Sequence, residues 1–133
     1  MVRIRMTERS AGPVYGTLVD ESGAAVPGSR VTAILLTLYD KESVDIEDGT
    51  PTTADVINER LNDDVLGSGE ATVNESGAFV LHLTADDLPI VNRRRQVERH
   101  VAVLAFAWTN VDDSVGSVKV PIEIEVENVG GVI

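Results

Sequence analysis

Apolar and polar residues alternate along much of this chain with the period of two that a half-buried β-strand requires. The clearest run lies near the C-terminus, where Val118, Val120, Ile122, Ile124 and Val126 interleave with Ser117, Lys119, Pro121, Glu123, Glu125 and Glu127. One face of that strand is expected buried and the other wet. Pro121 has no N–H for a ladder, so the strand is expected at a sheet edge, or with its proline nitrogen toward solvent. Val2, Ile4 and Met6 alternate with Arg3, Arg5 and Thr7, which predicts a first strand or an extended arm that pairs with a neighbouring subunit. Val14 to Val19 predicts the next strand, ahead of the turn at Val26-Pro27-Gly28-Ser29. Arg30 to Tyr39 is apolar on both faces, with Ile34, Leu36 and Leu38 on one and Val31, Ala33 and Leu35 on the other, the pattern of a central strand. Glu70 to Val73 and Ala78 to Leu83 predict a hairpin with Phe79, Leu81 and Leu83 inward, and Gln96 to Thr109 a long strand.

The turns between these segments share chemistry. Val19-Asp20-Glu21-Ser22-Gly23-Ala24-Ala25-Val26 returns as Val73-Asn74-Glu75-Ser76-Gly77-Ala78-Phe79-Val80. Each is an acidic-polar corner closed by a glycine able to take the positive φ of a short strand connection. Helical signals are few. Thr52-Thr53-Ala54-Asp55 resembles a capping box and predicts a short helix through Ile57 and Leu61, while Thr84-Ala85-Asp86-Asp87 repeats the pattern with Pro89 limiting it to about one turn. Residues Asp40 to Pro51 and Asn110 to Gly116 read as polar loops.

Strands joined by short turns, without a βαβ rhythm, predict an all-β Greek-key sandwich of immunoglobulin-like or transthyretin-like type. Its expected bounds are an N-terminal arm or strand over 1–12, the sandwich over 13–129 and a tail over 130–133. No cysteine flanks Trp108, so the expected likeness is to the architecture and not to antibody domains. The 133 residues suit a single domain.

Charge narrows the partners. Twenty-two acidic against eleven basic residues give a net charge of −11, which repels phosphate backbones and argues against nucleic acid as a partner. The longest apolar run, Val101 to Trp108, is far short of the ~20 residues of a membrane helix, so no membrane partner is expected. The N-terminus has no apolar secretion core, and the absence of cysteine fits a reducing compartment.

Candidate chemistry is sparse. His82 and His100 sit inside predicted strands and read as structural; no nucleophile elbow, zinc-protease helix or phosphate loop is present. Acid pairs recur at Asp45/Glu47/Asp48, Asp63/Asp64, Asp86/Asp87 and Asp112/Asp113, but none has the spacing of an EF-hand loop. No catalytic, cofactor or metal residue is therefore assigned. Arg93, Arg94 and Arg95, with Arg99 nearby, form the dense positive patch of an acidic chain, and their guanidinium forks suit an acidic partner surface.

Gly16-Thr17-Leu18-Val19-Asp20 through Gly23 to Val26-Pro27-Gly28 resembles the opening of carboxypeptidase-regulatory or transthyretin-like modules. Over more of the chain, Asn58-Glu59-Arg60-Leu61-Asn62, Val65-Leu66, Gly77-Ala78-Phe79, the Leu83-to-Asp87 turn and Glu98-Arg99-His100-Val101-Ala102 are similar to small immunoglobulin-like virion proteins encoded among the head and neck genes of tailed bacteriophages. That resemblance implies a non-enzymatic structural protein that decorates or stabilises the head or the head–tail neck. It implies a virion location after assembly in the bacterial host cytoplasm, many copies or a homo-oligomer, capsid or neck proteins as partners, and no cofactor. Arg3, Arg5, Arg93, Arg94, Arg95 and Trp108 are the expected contact residues. A surface-exposed adhesin-like or glycan-binding sandwich is the alternative, although few aromatics are available as a sugar platform.

Overall fold

The computed structural model describes residues 2–40, 56–89 and 96–128. Among these residues, eight strands form two sheets: β1 Val2–Thr7, β2 Gly12–Thr17, β3 Val31–Asp40, β4 Asp63–Asp64, β5 Ala71–Val73, β6 Ala78–Leu83, β7 Val97–Thr109 and β8 Val115–Glu127. The larger sheet has the order β1-β8-β7-β3-β4 and the smaller one β2-β6-β5. The neighbours β2-β6-β5 and β3-β7-β8 reproduce the B-E-D and C-F-G order of the immunoglobulin sandwich. The all-β Greek-key expectation is met, and of its two variants the immunoglobulin-like order is the one present.

The alternation in the sequence maps directly onto the core. Ile34, Leu36 and Leu38 of β3, Ala102, Leu104, Phe106 and Trp108 of β7 and Ile122, Ile124 and Val126 of β8 face Val14 of β2 and Phe79, Leu81 and Leu83 of β6. Phe79 and Phe106 meet across the sheets with ring centroids 5.0 Å apart and planes tilted by 51°, a separation within the range that aromatic pairs favour. Gly16 makes that contact feasible: a Cβ there would stand 2.3 Å from the Phe79 ring.

Of the strand and arm readings of the N-terminal segment, the strand is the one present: residues 2–7 pair in parallel with β8 from Val2↔Ile122 to Thr7↔Glu127, with Ile4 and Met6 packed against the core. Other expectations change. β8 is not an edge strand along its length, since β7 flanks one side and β1 part of the other. Pro121 pairs with Val103 of β7 and stands one position before Ile122, where the described β1 pairing begins. No helix forms through Ile57 and Leu61. Asn58, Glu59 and Asn62 take left-handed φ values of 53°, 56° and 49°, which a helix does not tolerate, and Val56 bridges Tyr39 instead. The Thr84 signal does produce one 3-10 turn over Ala85–Asp87, closed by a reciprocal Thr84–Asp87 capping box. The predicted box at Thr52–Asp55, the acidic run Asp45/Glu47/Asp48 and the tail over 130–133 lie outside the described residues.

Candidate interaction site

The two look-alike corners are the same structure. In the first, the Asp20 N–H donates to the Ala24 carbonyl at 2.8 Å and the Gly23 N–H to the Asp20 carbonyl at 3.0 Å. In the second, the Asn74 N–H donates to Ala78 at 2.9 Å and the Gly77 N–H to Asn74 at 3.0 Å. Asp20 Oδ1 accepts from the Ser22 N–H, the Ser22 hydroxyl and the Ala24 N–H at 2.9, 2.6 and 3.0 Å. Asn74 Oδ1 accepts from Ser76 twice and from Ala78 at 3.0, 2.8 and 3.0 Å. The side-chain oxygen replaces a turn of backbone as acceptor, and Gly23 and Gly77 supply φ values of 85° and 82°.

A third corner, hidden from the sequence pattern, joins β7 to β8. Its Asn110 N–H donates to the Ser114 carbonyl at 2.8 Å and its Asp113 N–H to the Asn110 carbonyl at 3.0 Å. Asp113 takes the left-handed position at φ 67°, where Asp is among the few non-glycine residues tolerated. Here Asp112 Oδ1 accepts from the Ser114 N–H and hydroxyl, because the Asn110 side chain is engaged elsewhere: its Oδ1 accepts the Trp108 indole N–H at 2.9 Å and its amide donates to the Ser114 hydroxyl. The first two corners touch through the Leu18 N–H, which donates to the Gly77 carbonyl at 2.8 Å. Between the first and third opens a cleft of about 710 Å³ lined by Asp20, Glu21, Ser22, Asn110, Val111, Asp112 and Ser114.

The charge in this cleft is negative. The Ser22 hydroxyl, ahead of the Ala24 N–H, holds the Asp20 carboxyl below its ordinary range, and the Ser114 hydroxyl does the same for Asp112, since hydrogen bonds to the charged form favour it. Both are carboxylates at neutral pH. Val111 is 84% and Val115 76% exposed beside them.

Of the sequence-predicted contact residues, the described Arg5 and Trp108 do not line this cleft. Arg5 pairs with Glu125 of β8 at 3.0 Å on the outer surface. Arg3 stands opposite Glu123 in the same register. Trp108 is a core residue, 3% exposed, with Gly116 beneath it: a Cβ on Gly116 would lie 2.3 Å from the indole. Trp108 thus ties the third corner to the core through its indole N–H. Arg93, Arg94 and Arg95 lie outside the described residues.

Two buried polar clusters escaped the sequence reading. Arg60, 7% exposed, donates from Nε to Asp87 Oδ1 at 2.9 Å and from Nη1 to Glu70 Oε1 at 3.0 Å, and also reaches Asp63. Its guanidinium is held still more firmly charged by Glu70, Asp87 and Asp63. Asp87, fully buried, accepts further bonds from Asn58 at 2.8 Å and the Thr84 N–H at 2.8 Å. No sequence spacing could have revealed this, because the partners come from three separate segments. The second cluster did carry a signal that could have found it: Glu98 lies two residues before His100 on one strand, hence on one face, and Glu98 Oε1 sits 2.8 Å from His100 Nε2, both side chains fully buried. Sealed in the core, the pair offers no surface to a substrate. Among the described residues no three His, Cys, Asp or Glu side chains gather as a metal site, and no helix is long and apolar enough to cross a membrane.

No family model, no curated protein and no solved structure matches the chain.

Proposed function

We propose that this chain is a non-enzymatic structural protein of a tailed-phage particle, which decorates or stabilises the head or the head–tail neck through protein–protein contacts. The observation that carries the reading is the destination of the polar chemistry. Arg60, Asp87, Glu70, Asn58 and Thr84 bond one another to fix the sandwich, and the His100–Glu98 pair is enclosed. Among the described residues, three hydrogen-bonded corners stand together toward solvent at one end of the domain. Loops held rigid by a sheet scaffold are where recognition resides on such folds. Many copies on a symmetric shell need only modest pairwise affinity, since avidity multiplies weak contacts. The phage-like segments named above, with capsid or neck proteins as partners, supply the particle context.

Proteomic mass spectrometry of purified particles tests this directly. The expected result is the chain at a fixed ratio to the major capsid protein; its absence from the particles contradicts the proposal. The adhesin-like or glycan-binding alternative gains little from the cleft, which has no aromatic side chain in its lining on which a sugar ring could stack.

A further inference from the structure

We infer that the cleft between the first and third corners is a docking site for a cationic segment of a protein partner, one that presents an arginine or lysine beside small apolar residues. The inference rests on the reading of the chain as a protein-contact scaffold and names the partner's chemistry. Asp20, Glu21 and Asp112 line the cleft and, among the described residues, no basic one does. Three of the seven large apolar side chains exposed among the described residues, Val19, Val111 and Val115, lie in or beside these same two corners. Val111, at the tip, has no core to join. Apolar side chains beside uncompensated acids are complementary to a basic segment with short apolar flanks, which gains both burial and charge pairing.

The first corner does not need this charge to fold. Asn74 builds the same corner as Asp20 with a neutral amide oxygen and the same three bonds. Glu21 lines the cleft without holding the corner's bonds. Negative charge at positions 20 and 21 is thus free of a backbone role. A bound metal is the weaker reading. Calcium needs six to eight converging oxygens, whereas the Asp20 and Asp112 Oδ1 atoms turn inward to their own serines. A guanidinium needs only one or two acceptors on the cleft wall.

The test is a two-dimensional amide NMR titration of the full chain with the synthetic peptide Gly-Val-Arg-Val-Lys-Gly, with Gly-Val-Glu-Val-Glu-Gly as counterpart. The cationic peptide is expected to shift the resonances of residues 20–24 and 110–114, and the acidic one to leave them unmoved. The triple variant Asp20→Asn/Glu21→Gln/Asp112→Asn is expected to keep the dispersed spectrum and to bind about tenfold more weakly. Val111→Ser should weaken binding as well. Raising NaCl from about 50 to about 500 mM should weaken the wild-type complex. The inference is overturned by no localised shift, by equal shifts with the acidic peptide, or by calcium chloride alone saturating the same resonances. Shifts that appear on concentrating the protein by itself, with a rising sedimentation mass, would assign the cleft to a second copy and also overturn it. Its failure is separable from that of the particle reading: a chain present in particles that ignores the peptide loses the cleft only, and a chain absent from particles that binds the peptide loses the particle only.

Discussion

Gly23 and Gly77 hold the same left-handed position in two copies of one corner, yet their surroundings differ. Nothing lies within 4 Å of a Cβ built on Gly23, whereas one on Gly77 would meet the Leu18 carbonyl oxygen at 2.9 Å and the Ala25 Cβ at 3.1 Å. Gly23→Ala should therefore cost only the left-handed penalty of about 1–2 kcal/mol, and Gly77→Ala that penalty together with a backbone clash. Urea denaturation of the two variants checks the order; equal losses would contradict the packing of the second corner against the first. Arg60 offers the larger effect. Arg60→Ala strands the fully buried Asp87 carboxylate, and breaking such a pair from one side costs about 3–5 kcal/mol, again readable by denaturation. A loss under about 1 kcal/mol would mean that the cluster behaves as a surface pair. Of these residues, the glycines were legible because turn chemistry is local. Arg60 was not, because its meaning depends on Asp87 and Glu70 arriving from other turns.

At the scale of elements, strands were read well where the alternation was strict, as in β8, and where a turn signal flanked them, as in the β5–β6 hairpin. The misreadings have separate physical causes. The expected helix at Ile57 gave way to left-handed turns because Arg60 and Asn58 bond the buried Asp87, a tertiary demand that outweighs helix propensity. The third corner lacked its glycine and so lacked its signal. The first strand was ambiguous because period two describes a strand without saying whose sheet it joins. Its placement beside β8 carries a consequence: removing residues 1–10 takes Ile4 and Met6 from the core margin and bares the β8 edge from Ile122 onward. The truncated chain should lose about 2–4 kcal/mol of stability and aggregate more readily through the opened edge. Unchanged thermal stability would show that the first strand is a detachable arm after all.

Across the whole molecule, a net charge of −11 coexists with acids that the fold puts to work. Asp87 and Glu70 titrate below their ordinary values of 3.8 and 4.5. For Asp87, burial opposes the charged form, but bonds from Arg60, Asn58 and Thr84 outweigh it; for Glu70 the Arg60 bond leads. A carboxyl with a folded value below its unfolded one contributes stability that is complete above the unfolded value and lost as pH falls through the folded one. Stability should therefore hold from neutral pH to about pH 5 and then fall with further acid. Glu70→Gln should flatten part of that slope, and a slope identical to wild type would remove Glu70 from the account. The particle reading turns on whether the clustered corners of this sandwich meet capsid or neck proteins. The most direct measurement is quantitative mass spectrometry of purified particles carrying wild-type chain or the Asp20→Asn/Glu21→Gln/Asp112→Asn variant. The account predicts wild-type chain at a fixed ratio to capsid protein and a depleted variant that still folds; particles devoid of the wild-type chain would contradict it.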